Sequence, residues 1–229
     1  MKSKRYKNLL KAEKETIAKP VKDLLPAVKK NCTAKFDETI DLNLQINNKQ
    51  KKGEISIRTI VNMPSGTGKK IKVAVLCDES SKPLAEKAGA DLVGADDLIE
   101  KIKAGDINFE KLICTPKMMI ALSKLGKILG PKGLMPNPKL GTVTDNIEEA
   151  IKKAKAGQVE IKNDKDGNIG VSLGKKSFTD EKILSNFNAI IETLEKEKGN
   201  NTIKGEMIKN IYLTSTMGIS YKVKLDKNF

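Results

Sequence analysis

The chain contains no histidine and no tryptophan. Without an imidazole it lacks the usual general base near neutral pH, the commonest metal ligand, and both the Ser-His and Cys-His nucleophile arrangements. Carboxylate or lysine catalysis survives that test. Aromatic residues make up only 3% of the chain, as 5 Phe and 3 Tyr, which argues against a wide stacking platform for single-stranded nucleic acid; any stacking on a base must be local. Cys32, Cys77 and Cys114 are odd in number and dozens of residues apart, a spacing that suits neither a disulfide framework nor a zinc knuckle, so they are expected as buried thiols. No apolar run approaches the roughly 20 residues that span a bilayer, and no apolar segment of a secretory signal follows the basic N-terminus. The expectation is a soluble, cytoplasmic protein without a cofactor.

What the chain has in abundance is positive charge. Lys and Arg number 43 against 29 Asp and Glu, a net +14 over 229 residues, and that balance points to a polyanionic partner. Nucleic acid and an anionic membrane surface both qualify, but a sustained basic amphipathic helix with an aromatic edge, which a membrane surface would require, is missing. The most informative stretch is Gly126 to Thr144, GKILGPKGLMPNPKLGTVT, with four glycines, three prolines, three lysines and no acidic residue. Glycine and proline together predict a shaped, exposed, basic loop here rather than a helix or strand. A connector needs two to six residues, so a loop of this length in a compact domain is expected to bind something.

In chain order, Met1 to Lys30 begins as a basic arm and continues in a helical pattern interrupted near Pro20 and Pro26. Apolar and polar residues then alternate over Phe36 to Ile46 and Glu54 to Asn62, predicting paired strands across the polar turn NNKQKKG. From Ile71 to Gln158 short apolar runs alternate with helical segments, the pattern of βα units on a mostly parallel sheet, with Asp145 or Asn146 as N-cap of the helix after the basic loop. Beyond Gln158 come a hairpin turning at Asp166-Gly167, a long amphipathic helix over Thr179 to Lys198, and closing strands over Ile211 to Thr216 and Ile219 to Leu225.

The simplest α/β architecture has two domains. Residues 1–66 with 160–229 form a discontinuous split α+β domain, and residues 67–159 form an inserted Rossmann-like three-layer βα domain that carries the basic Gly/Pro loop. The outer domain holds 27 Lys and Arg against 17 Asp and Glu, a net +10, and the inserted one 16 against 12, a net +4. The principal contact with a polyanionic partner is therefore expected on the outer domain.

The wording of several segments is itself specific. LGPKGLMPNPKLGTV at Leu129 to Val143, TAKFDETIDL at Thr33 to Leu42, AGADLVGADDLI at Ala88 to Ile99, NDKDGNI at Asn163 to Ile169 and TSTMG at Thr214 to Gly218 fall in one order. Together they resemble the bacterial large-subunit ribosomal proteins of the L-one family over nearly the whole chain. That resemblance implies a non-enzymatic constituent of the large ribosomal subunit that binds the mobile stalk of the large ribosomal RNA. It also implies contact with deacylated tRNA in the exit site, repression of the protein's own operon mRNA, and a flexible two-strand connection near Pro64 to Gly68 and Gly157 to Glu160.

Residue by residue, Lys35 can neutralise a phosphate, Phe36 can pack on a ribose or an exposed base, and the Thr39 hydroxyl can bond a 2'-OH. Read without the family, Phe36 is more readily a core residue, since most Phe residues are buried. Thr216 offers a donor and acceptor, Met217 an adaptable apolar pad, and Gly218 a close backbone approach, although the same three residues also make an ordinary turn. The resemblance assigns both groups to ribosomal RNA, adds Asp164 and Ser177, and makes Gly130, Lys132, Gly133 and Lys139 a secondary RNA- or tRNA-facing loop. Thr59 and the turn from Asn47 to Glu54 depart from the family pattern.

The rival reading is a nucleotide- or phosphate-binding enzyme that uses the βα domain and its Gly/Lys loop. The spacing counts against it: PSGTGKK at Pro64 to Lys70 has Met63 and Lys70 where a phosphate loop needs Gly and Ser or Thr. No GxGxxG follows a predicted strand either.

Overall fold

The computed structural model of the protein describes residues 3–12, 18–47, 57–200 and 207–224. Most of the expected turn from Asn47 to Glu54, the start of the strand after it, and Leu225 lie outside these residues. The elements run α1 (Lys4–Ala12), α2 (Val21–Lys30), β1 (Thr39–Ile46), β2 (Arg58–Asn62), β3 (Val73–Leu76), α3 (Lys82–Lys87), β4 (Leu92–Gly94), α4 (Asp96–Lys103) and β5 (Lys111–Cys114). They continue with α5 (Pro116–Ser123), α6 (Gly126–Leu129), α7 (Ile147–Lys155), β6 (Gln158–Lys162), β7 (Asn168–Lys175), α8 (Asp180–Asn200), β8 (Ile208–Ser215) and β9 (Ser220–Val223). The architecture is mixed α/β, in two compact units: Met1–Gly68 with Val159–Phe229, and Lys69–Gln158.

In the unit made from both ends of the chain, β7, β1, β8 and β9 form an antiparallel sheet in that order. Alternation along β1 sends Ile40, Leu42, Leu44 and Ile46 to one side, into a core with Leu24, Leu25 and Val28 of α2 and Ile183, Phe187, Ile190 and Leu194 of α8. Burying each of these side chains is worth about 1.5–3 kcal/mol, which is why a sheet of alternating polarity and two amphipathic helices specify one another. Proline does not break α2 as expected: the helix runs through Pro26. Pro26 forfeits one hydrogen bond to the preceding turn, while the buried Val21, Leu24, Leu25 and Val28 hold the helix against the sheet.

The expected strand from Phe36 is also shorter at its start. β1 begins at Thr39, because residues 33–38 fold into a loop closed by Glu38 Oε1, which accepts the Ala34 amide at 2.8 Å. The chain between β2 and the second unit is fixed by a side chain that sequence patterning missed. Asn186 of α8, fully buried, accepts from Ser65 N at 3.1 Å and donates to Gly66 O at 2.9 Å and Leu173 O at 2.7 Å.

In the second unit the sheet is parallel, with order β4-β3-β5. Its central strand alternates between two apolar layers: Ala74 and Leu76 pack with Leu98, Ile102, Leu122 and Leu129, while Val73 and Val75 pack with Ala85, Ile151 and Ala154. Asn146, not Asp145, caps α7, its side chain accepting from Glu149 N at 3.4 Å. The basic stretch departs from an all-loop expectation in two places. Gly126–Leu129 forms α6 and Pro138–Leu140 a 3-10 turn, and Leu129 and Leu140 are buried, so apolar anchors pin the segment.

The phosphate-loop reading of Pro64 to Lys70 fails structurally as well. This segment follows β2 and leads to strand β3, with no helix opening after it, and Lys69 Nζ pairs with Glu110 at 2.7 Å.

Candidate nucleic-acid interface

Three segments distant in sequence meet at one end of the four-stranded sheet. Register brings them there: Thr39 pairs with Lys175 on one side and Ile40 with Ser215 on the other. The start of β1, the end of β7 and the β8–β9 turn are therefore neighbours. The Thr216 amide donates to Thr39 O at 3.0 Å, and the Thr39 amide donates to Thr216 Oγ1 at 2.9 Å, so the turn is zipped to β1. Lys175 Nζ donates to Thr39 Oγ1 at 2.8 Å.

Two apolar side chains stand out from this end. Phe36 is 54% exposed and Met217 50%, although both are large and uncharged. A core role for Phe36 is thereby ruled out. Lys35, Ser177 and Thr216 are exposed beside them. The acidic residues of the same segment point inward or are engaged: Asp37 accepts from the Ser177 amide at 3.1 Å and the Ser177 hydroxyl at 2.8 Å. Glu38 is fully buried. The outward face thus presents Lys35 and the two apolar pads, while Lys175 and Lys176 are half-buried, their ammonium groups donating to Thr39 Oγ1 and Cys32 O at 2.8 Å; a cation beside apolar pads can hold a phosphate and pack on a sugar or base.

Glu38 lies beneath both loops. Its Oε1 accepts from Ala34 N at 2.8 Å and its Oε2 from Met217 N at 3.1 Å. Burial pushes its carboxyl up, but the two amides, the Ser215 hydroxyl and the Arg5 charge outweigh burial and hold it below the usual 4.5. Arg5 of α1 reaches the same place: Nε donates to Thr33 Oγ1 at 2.6 Å, Nη2 donates to Met217 O at 3.1 Å, and Nη2 lies 3.8 Å from Glu38 Oε1. Sequence patterning treated the N-terminal cations as one diffuse cluster and missed both residues. A glutamate beside Lys-Phe carries no local signal of burial.

Gly218 is required by close approach. A Cβ there would lie 2.3 Å from Ser215 Oγ. Thr39 and Thr216 use their hydroxyls within the site, and the Ser177 hydroxyl is committed to Asp37, so these three shape the surface as much as they offer groups to a ligand.

Asp164 is not in this cluster. It sits in the β6–β7 turn, beyond the Gln45–Asn168 pair at the far end of β1, roughly 20 Å away by strand rise. Its carboxylate accepts from Asn168 N at 2.6 Å and Asn168 Nδ2 at 3.1 Å, bonds that lower its pKa. It also borders a polar groove of about 690 Å³ on the open sheet face, with Asn43, Gln45, Lys162 and Tyr212.

In the second unit Gly130, Lys132, Gly133 and Lys139 are all exposed on the basic loop. Gly133 has φ +69°, and a Cβ at Gly130 would meet Gly126 O at 2.6 Å, so the turn between Lys127 and Lys139 needs both glycines. Among the described residues no cluster could hold a metal ion, and no helix is long and apolar enough to cross a membrane. All three cysteines are buried and free; burial alone pushes the Cys114 thiol up to about 11.

The sequence model of the ribosomal protein L1p/L10e family matches residues 28–219, which include both loops of the sheet-end cluster and the basic loop. A large ribosomal subunit protein uL1 from Pelagibacter ubique (strain HTCC1062) is 65% identical over 227 residues, 99% of this chain and 99% of that one. Proteins of the same name from Rickettsia africae (strain ESF-5) and Prochlorococcus marinus (strain NATL1A) are 49% and 44% identical. The first alignment covers 83% of this chain and 80% of the relative, the second 98% and 95%.

Proposed function

Since the chain belongs to the ribosomal protein L1p/L10e family, we propose that it is a cytoplasmic, structural RNA-binding component of the large ribosomal subunit. It holds the mobile stalk of the large ribosomal RNA beside the exit site and catalyses no reaction. The observation that carries this reading is the presence of Phe36 and Met217, each about half exposed, at one end of the sheet with the exposed Lys35, where the neighbouring acids are buried or bonded. Lys35 and Lys175 supply phosphate contacts, Phe36 packs on a sugar or base, and the Thr39–Thr216 pair with Met217 and Gly218 follows the backbone. Ser177 sets the approach through Asp37.

Asp164 joins the contact only where the RNA runs along the sheet for roughly 20 Å. The two units act as separate domains, the outer one holding ribosomal RNA. The exposed Lys132 and Lys139, with Gly130 and Gly133, face a second RNA element and deacylated tRNA. The same outer surface binds the protein's own operon mRNA when the protein is unassembled and represses its translation.

The test is salt-dependent binding of the wild type, Phe36→Ala and Thr216→Ala/Met217→Ala to a transcript of the large-subunit stalk, alongside an unrelated RNA of equal length. Shape recognition gives a preference for the stalk that persists as salt rises and shrinks in the variants. Equal, steeply salt-sensitive binding of both RNAs, indifferent to the substitutions, would reduce the site to a generic polyanion surface.

A further inference from the structure

The two loops of the candidate interface touch solvent through Lys35, Phe36 and Met217, yet little in those side chains fixes the distance between the loops. Beyond the Thr39–Thr216 bonds that zip the turn to β1, what fixes it lies underneath. One carboxylate, fully buried at Glu38, accepts from an amide of each loop, at 2.8 Å from Ala34 and 3.1 Å from Met217. One guanidinium, Arg5, bridges the same pair from outside, donating to Thr33 Oγ1 and Met217 O. Each loop is thus held twice, once through a backbone amide and once through an oxygen, and the two holding groups form an ion pair at 3.8 Å.

We infer that Glu38 and Arg5 form a positioning clamp that presets the Lys35-Phe36 loop and the Thr216–Gly218 turn at the spacing an RNA backbone requires, with Glu38 itself never touching RNA. The inference rests on the RNA-binding reading above. Its physical basis is the cost of ordering: two loops free to move independently lose their freedom on binding, and a clamp made during folding removes that loss from the binding step. A carboxylate suits the position because it accepts at both oxygens, as two facing amide donors demand, and a neutral amide side chain would place a donor against one of them. Burial shields the bonds from water, and Arg5 compensates the buried charge. Arg5 also brings α1 into the site, so the basic arm acts by shaping the surface as well as by adding charge to it.

The experiment measures binding of the full chain to the stalk transcript across a salt series for the wild type, Glu38→Gln, Arg5→Ala and Arg5→Lys, with circular dichroism of each variant at the assay temperature. Glu38→Gln is expected to weaken binding about 10-fold or more while leaving the slope of log K against log salt unchanged, because no phosphate contact is lost. Arg5→Lys keeps the charge but not the two-pronged geometry, so its loss should approach that of Arg5→Ala. Folded Glu38→Gln that binds within about twofold of the wild type overturns the clamp, as does full rescue of Arg5→Ala by lysine, which would make Arg5 a charge only. Should Glu38→Gln fail to fold, the Arg5 pair decides alone. A wild type without preference for the stalk refutes the RNA-binding reading instead, so the two failures are distinguishable.

Discussion

Gly218→Ala is the sharpest single probe of the interface, because its effect is set by one interatomic distance. The backbone there is outside the left-handed region, so alanine meets no φ penalty. The difficulty is steric: the new Cβ would stand 2.3 Å from Ser215 Oγ, about 1 Å inside ordinary contact, and Ser215 is only 4% exposed. The hydroxyl must swing away, and in doing so it leaves the place from which it helps hold the Glu38 carboxyl down. Losing a favourable polar contact with a buried charged group costs about 1.5–3 kcal/mol. Ser215→Ala loses the same contact and also removes the obstructing oxygen. The nearest atom would then be the residue 215 Cβ at 3.5 Å, ordinary contact.

Gly218→Ala should therefore cost about 2–3 kcal/mol in the wild type but less than about 0.5 kcal/mol in a Ser215→Ala background, a coupling near 2 kcal/mol. Urea unfolding followed by circular dichroism reads the four proteins of the cycle. Additive costs would refute the reasoning, because they would mean that the alanine meets something other than the Ser215 hydroxyl.

Four further outcomes are expected. Phe36→Ala should lower affinity for stalk RNA by about 5- to 100-fold, the range of one aromatic–base stack, yet shift stability by less than about 0.5 kcal/mol because the ring is half exposed, as filter binding and a melting curve will show. Asn186→Ala strands Ser65 N, Gly66 O and Leu173 O and should cost about 2–3 kcal/mol by urea unfolding; a change under about 0.5 kcal/mol would mean that water replaces the amide. Glu38, held below 4.5, contributes stability that is fully present above that pH and is lost as pH falls through its lower folded value. An acid titration of Glu38→Gln should accordingly lack that part of the limb, and superimposable wild-type and variant curves would refute it. Asp164→Ala should weaken binding to a stalk RNA long enough to run along the sheet and leave a truncated one unaffected; an equal loss on both would contradict the strand register.

Much of this was legible locally. Alternation along β1 and the 3.6-residue stripe of α8 depend only on neighbours in the chain, and the βα rhythm from β3 to α7 does likewise, so periodicity located them. The basic loop was found by composition, and its position was right, while the burial of Leu129 and Leu140 within it was not visible, since those anchors depend on which layer the loop crosses. Pro26 misled for the same reason: a local penalty was overridden by burial of the turns around it.

The sequence by itself determined the charge that selects a polyanionic partner, the absence of histidine that removes the usual catalytic groups, and the family through its ordered motifs. Only the tertiary structure decided which motifs lie side by side. Antiparallel register put Thr39 beside Thr216 and Lys175 and sent Asp164 to the other end of the strand. It also turned Glu38 from one more surface acid into the buried carboxylate that joins two loops. Hydrogen-bond partners 179 residues apart leave no mark on local sequence, because what makes them partners is the pairing of strands and not the residues beside them.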